Sequence, residues 1–139
     1  MGDNVIKREI VLEAQTEKLD LLLDTLREDM GKAECPMEKQ MSVEICAEEI
    51  FVNIAHYAYG EMCGKAYIAS ETEKGKILLC FRDQGMPYNP LEKEDPDTTL
   101  SAEERQIGGL GIFMVKNMMD QVSYEYKDGF NCLTMTMTW

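Results

Sequence analysis

The closing run NCLTMTMTW constrains the architecture more tightly than any other segment of the chain. Leu133, Met135 and Met137 alternate with Thr134, Thr136 and Thr138. Successive side chains of a strand point to opposite faces, so this strand buries one face and wets the other. The sheet it belongs to is therefore covered on one side only. Three earlier runs fit such a sheet. Residues 5–12 (VIKREIVL) mix β-branched and charged side chains, while 65–71 (KAYIASE) and 76–82 (KILLCFR) flank a tight Lys74-Gly75 turn. KILLCFR is nearly all apolar, which places it at the sheet centre. VSYEY joins the last strand through Lys127-Asp128-Gly129-Phe130, and Asp-Gly at a hairpin tip suits the strand twist.

The cover is helical. Leu19, Leu22, Leu23, Leu26 and Met30 recur at helical spacing behind Thr16, a candidate cap, with Gly31 as the stop. Pro36 opens a second helix that runs from 37 to about 59. A third, apolar helix follows the glycine cluster at 108–111 and ends near Asp120. This order predicts an α/β chain of the two-layer α+β kind, a mixed, mostly antiparallel sheet with helices on one face. At 139 residues the chain makes one domain, 1–139. Residues 83–107 hold three of the four prolines, many acids and no apolar period, the pattern of a lid, a binding loop or disorder.

Charge narrows the function. The net charge is −12 and no Lys/Arg cluster occurs, whereas a nucleic-acid binder needs a basic face for phosphates. Direct nucleic-acid binding is not expected. No apolar run is long enough for a signal peptide or membrane span, so a cytoplasmic protein without membrane contact is expected. Five scattered cysteines without a CxxC pair fit neither a metal site nor a disulfide framework. Cys46, Cys80 and Cys132 read as small core residues.

Three segments carry chemistry. On the second helix Glu49, Asn53 and His56 stand at i, i+4 and i+7, one stripe along the surface. A carboxylate there can act as a general base, and an amide oxygen can complete a Mg²⁺ shell. A polar stripe without chemistry is the alternative. In FRDQGMPYNP an apolar strand delivers Asp83 at its end, followed by Gly85 and Pro87. That carboxylate can accept a hydrogen bond from an exocyclic amine such as adenine's, or it can simply bond local amides of a turn. In ERQIGGLGIFMV, glycines before a helix free N–H groups to meet an anion, or serve as a hinge. Neither GxxxxGK[ST] nor GxGxxG is present.

In this order the three segments resemble the ATP-binding domain of the GHKL (Bergerat-fold) superfamily. Within it they are most similar to the anti-sigma factor serine/threonine kinases, from about residue 40 to the end. Glu49-x-x-x-Asn53 matches the N box, Asp83-x-Gly85-x-Pro87 the first glycine box, and Gly109-Leu110-Gly111 the second. The resemblance implies ATP and Mg²⁺ as ligands, with Glu49 as the general base and Asn53 holding the metal between the phosphates. It implies Asp83 on the adenine amino group, with Gly85 and Pro87 in the same box. Gly108, Gly109, Leu110, Gly111 and Ile112 would bind the phosphates at the end of a lid spanning about 88–108, where Arg105 would reach the γ-phosphate. His56 matches a position often occupied by His in this branch. Where the family commonly has Gly-Thr at the start of the last strand, the Thr reaching adenine through water, Phe130-Asn131 stands here. The implied activity is phosphorylation of a serine or threonine on a STAS-type anti-anti-sigma protein. A sigma factor as second partner, partner switching and a homodimer are implied by the same resemblance. The alternatives are a non-catalytic, nucleotide-gated module that sequesters a sigma factor or another regulator, and an ATPase of the gyrase or Hsp90 kind. The latter's longer lids and transducer domains find no room in this chain.

Overall fold

A computed structural model describes residues 5–92 and 109–139, without the side chains of Gly109 and Leu110. Five strands, β1 (Ile6–Glu13), β2 (Lys65–Glu73), β3 (Lys76–Asp83), β4 (Gln121–Lys127) and β5 (Phe130–Thr138), form one sheet in the order β1-β2-β3-β5-β4. Among the described residues three α-helices, α1 (Leu19–Lys32), α2 (Met37–Asn53) and α3 (Gly109–Met118), accompany the sheet. The apolar run 76–82 is indeed the central strand. Every strand pairing is antiparallel, so the mixed sheet expected from sequence is a wholly antiparallel one among the described residues. Hairpins at Gly75 and Gly129, both with positive φ, make parallel crossovers unnecessary.

The alternation of the last strand is realised as read. Leu133, Met135 and Met137 are buried with Ile68, Ile77, Leu79 and Phe81 of the neighbouring strands. Leu22, Leu26 and Met30 of α1, Val43, Cys46, Ile50 and Phe51 of α2, and Ile112, Val115 and Met119 in and after α3 close the same core. Helix α2 packs against both α1 and α3. Truncating a fully buried ring such as Phe51 or Phe81 to Ala would cost about 3–5 kcal/mol.

Local signals differ from the sequence reading in four places. Thr16 caps no helix; it starts a 3-10 turn, Thr16–Lys18, which precedes α1 and carries no side-chain cap. Gly31 does not stop α1. The helix runs one residue further and ends where Glu34 adopts φ 59°, with Cys35 N–H bonded to Met30 O and Glu34 N–H to Gly31 O. That is a Schellman-type end in which buried Met30 and Cys35 supply the accompanying apolar contact. The second helical run reaches Ala58 as a single course, but its last turn, Ile54–Ala58, is π-helical. Finally, Cys80 and Cys132 are only half-buried on the open face of the sheet, because their strand positions alternate with the core positions; only Cys46 of the three is core.

Candidate functional site

A cavity of about 510 Å³ opens between the C-terminal part of α2, the end of β3 and the start of β5. Its walls are apolar, from Ile50, Ile54, Phe81, Ile112 and Leu133. Asn53, Asp83 and Asn131 supply polar groups. Exposed Tyr57, Met86 and Tyr88 surround its mouth. Size, apolar lining and a few converging polar groups are those of a small-molecule site.

Asp83, the last residue of β3, is 7% exposed. Its Oδ1 accepts the Gly85 N–H at 2.9 Å and an Asn131 Nδ2–H at 2.9 Å. Both bonds fall on one oxygen, which leaves Oδ2 for a ligand in the cavity. Asn131 stands directly opposite Asp83 in the ladder. Gly85 is required here for a packing reason. A Cβ on it would lie 2.1 Å from the carbonyl oxygen of Ala58, the end of the π-helical turn. The turn 84–85 is thus docked onto that helix end, and Tyr59 adds to the docking by accepting the Gln84 N–H and donating to Lys65 O.

At the other side of the cavity Glu49 and Asn53 lie one helical turn apart. Asn53 donates its Nδ2–H to Glu49 Oε2 at 2.8 Å, so its Oδ1 is the atom available to a cation. The Glu49 carboxylate rests against Gly111 in the first turn of α3, where a Cβ would meet its carbon at 2.2 Å. Glu49 is one turn from Cys46, whose thiol burial pushes up to about 11, the Glu49 charge adding to the effect. His56 does not continue this stripe. His56 is exposed and meets the Tyr57 ring edge-on at 5.9 Å, while Tyr57, four residues beyond Asn53, lines the cavity.

The apolar slot with a single carboxylate oxygen at its base suits a flat heterocycle bearing an amine. Among the described residues no group of three or more His, Cys, Asp or Glu could hold a metal. The Asn53 oxygen is a described group that could complete a Mg²⁺ shell made otherwise of phosphate and water.

The family model for the histidine kinase-like ATPase domain matches residues 12–137. The chain belongs to this family. The chain is also similar to the serine/threonine-protein kinase BtrW of Bordetella bronchiseptica, 28% identical over 98 residues, 70% of this chain and 69% of that protein. The anti-sigma F factor of Bacillus subtilis is 27% identical over 90 residues, 64% of this chain and 62% of its own length. The serine-protein kinase RsbW of Bacillus mycoides is 21% identical over 137 residues, 96% and 86% of the two chains.

Within this histidine kinase-like ATPase domain, the sequence motifs fall into one place. Asn53, Asp83, Pro87 and Ile112 line the cavity, and Glu49 and Gly111 touch beside it. Gly85 supports it through Ala58, and Gly109 and Leu110 begin α3. Arg105 and Gly108, and the lid from residue 93 onward, lie outside the described residues. The lid's expected first residues are not free loop: Tyr88 N–H is held by Asn131 and Pro90–Glu92 form a 3-10 turn. Tyr57, Tyr59 and Tyr124 were not singled out by sequence. A reading of aromatic residues near Asn53 would have found Tyr57, but Tyr124 meets the site only through the β4–β5 register. No helix among the described residues is long and apolar enough to cross a membrane.

Proposed function

We propose that the chain binds ATP with Mg²⁺ and transfers the γ-phosphoryl group to a serine or threonine of a STAS-type anti-anti-sigma protein, as one arm of a partner switch with a sigma factor. The observation that carries this is the division of one cavity. A carboxylate with one free oxygen stands on one side of its wall, and Asn53, bonded to Glu49 beside the cavity against a glycine-rich helix start, stands on the other. The names of the relatives, two kinases and an anti-sigma factor, support the same reading.

In the reaction Asp83 Oδ2 accepts the adenine amino group and sets the nucleotide's register. Asn53 Oδ1 faces the phosphates. Mg²⁺, when bound, supplies charge neutralisation across the triphosphate, which this chain's acidic surface cannot. Glu49 takes the proton of the attacking hydroxyl as its oxygen bonds to the γ-phosphorus. The bond from that phosphorus to the β,γ-bridging oxygen breaks, and ADP departs. The N-terminal turn of α3 presents backbone N–H groups where negative charge collects. Positioning and charge stabilisation contribute most of the rate.

Glu49→Gln tests this. It keeps size and the bond to Asn53 but removes the proton acceptor, so single-turnover transfer from labelled ATP should fall ~10²–10⁴-fold. ADP affinity should stay within about twofold, because the base-binding groups lie elsewhere. Transfer by Glu49→Gln at the unaltered rate would remove Glu49 from the chemistry. An unaltered protein that binds ATP and partner tightly yet transfers nothing would favour the nucleotide-gated module.

A further inference from the structure

Asn131 has an unusual position for a side chain that the nucleotide reading does not use. It is 7% exposed, yet it sits at the junction of four separate segments. Its Nδ2 donates to Asp83 Oδ1 at 2.9 Å and to Met86 O at 3.0 Å, with Gly85 O at 3.4 Å beside them. Its Oδ1 accepts the Tyr88 N–H at 3.0 Å and the Tyr124 hydroxyl. An Asn amide has two donor hydrogens and two acceptor lone pairs. All four are engaged within the protein, so none is left for a ligand.

We propose that Asn131 is a positioning residue, which fixes the plane of the Asp83 carboxylate and the path of residues 85–88 so that Asp83 Oδ2 meets the amino edge of adenine. This rests on the nucleotide reading above and extends it to a residue that touches no ligand. The physical case is one of counting. Asp83 can rotate about its terminal bond, and the Asn131 and Gly85 donors on Oδ1 are what hold it. The same amide ties Met86 O and Tyr88 N–H, the two ends of the segment that includes Pro87 on the cavity wall. A hydroxyl in place of this amide has a single hydrogen and could not reach Asp83 and Met86 together. Tyr124, on the outermost strand, completes the amide oxygen's shell.

The test is ADP·Mg²⁺ binding by calorimetry, measured as the ratio of variant to unaltered affinity over a pH series. Asn131→Ala removes one of the two donors on Asp83 Oδ1 together with the amide contacts to Met86 O and Tyr88 N–H, and should weaken ADP about tenfold or more. Asn131→Asp is the sharper probe. It keeps the shape and the two acceptor contacts, but sets a second carboxylate 2.9 Å from Asp83 Oδ1. Two such carboxylates hold one proton between them well above the ordinary range. With that proton the new acid can donate to Asp83 as the amide did; without it the pair repels. The ratio should therefore be modestly below one at pH 5.5, where only the Met86 O contact is missing, and fall about tenfold further by pH 8.5. Other titratable groups around the pair are the phenols of Tyr59, Tyr124, Tyr57 and Tyr88 and, beyond Asn53, Glu49. Arg82 lies on the opposite face of the sheet, over Phe130. A role in packing alone would give a loss that does not change with pH.

A flat ratio for Asn131→Asp, with Asn131→Ala within twofold of the unaltered protein, overturns the proposal. Should either variant fail to fold, Tyr124→Phe removes one donor and keeps the ring, with a loss of about threefold expected; unchanged affinity there overturns it equally. Unaltered protein that binds no adenine nucleotide would overturn the functional reading and this proposal together, whereas bound ADP with a flat ratio removes only the role of Asn131.

Discussion

The two ends of the cavity are built differently. At the Asp83 end the local Gly85 N–H bond to Asp83 is joined by bonds between groups distant in sequence: Asp83 to Asn131, Asn131 to Met86 and Tyr88, and Tyr59 to Gln84. At the Glu49 end, among the described residues, one side-chain bond joins residues four apart on one helix, and the carboxylate leans on a glycine. The first end is fixed by the sheet and cannot change without disturbing it. The second can change by rotating one side chain. A site that must hold a base firmly and move a proton at its other end is expected to divide in this way, with precision on the rigid sheet and adjustability on the helix.

Two glycines allow that contrast to be broken. At Gly85 an added Cβ would meet backbone, the Ala58 carbonyl at 2.1 Å, so relief requires moving the helix end or the turn. Gly85→Ala should lower unfolding free energy by about 2–3 kcal/mol in denaturant titration and weaken ADP along with it. At Gly111 the added Cβ would meet only the end of a flexible Glu49 side chain. Alanine also favours a helix over glycine by up to about 1 kcal/mol. Gly111→Ala should therefore leave stability unchanged or slightly raised, while phosphoryl transfer falls about tenfold because Glu49 is displaced. Equal stability losses for the two variants would show that the two ends are not built differently.

The smallest expected effect is alkaline. Burial is the main cause that raises the Tyr59 and Tyr124 phenols above 10.0, partly opposed by the backbone N–H groups they accept from or lie near. Raised phenol values mean that the hydrogen-bonded neutral forms contribute stability fully below pH 10.0, which is lost as the pH rises through the folded values. Phenolate absorbance should show these two tyrosines titrating after the exposed ones, and Tyr59→Phe or Tyr124→Phe should remove the late component. Ordinary titration of both would weaken the case for a rigid Asp83 end.

The sheet, the helix positions and the motif order were legible because each depends on local pattern. Period two in β5 gave its buried face, and the apolar run 76–82 gave the central strand. The i, i+4 spacing of Glu49 and Asn53 gave their shared face. What local pattern could not give is whatever depends on a change of helical pitch or on distant pairing. Nothing in IAHYA distinguishes a π turn from an α turn, and the spacing of Glu49, Asn53 and His56 gave no sign that Tyr57 rather than His56 lines the cavity. The partner of Asp83 is 48 residues away in sequence and is opposite it only because β3 and β5 pair in that register. The need for Gly85 was legible as close approach, but the approaching group is the protein's own helix end.

The central claim, that Asp83 reads the amino group of adenine in an ATP site, is tested most directly by nucleotide selectivity. Calorimetric titration of the unaltered protein with ATP·Mg²⁺ and with GTP·Mg²⁺ compares an amine with a 6-oxo group at the same place. Guanine would set an acceptor against the Asp83 carboxylate, with no donor between them. ATP should bind ~10²-fold tighter or more, the cost of leaving a buried charged acceptor unpaired. Equal affinities for the two nucleotides would contradict the account.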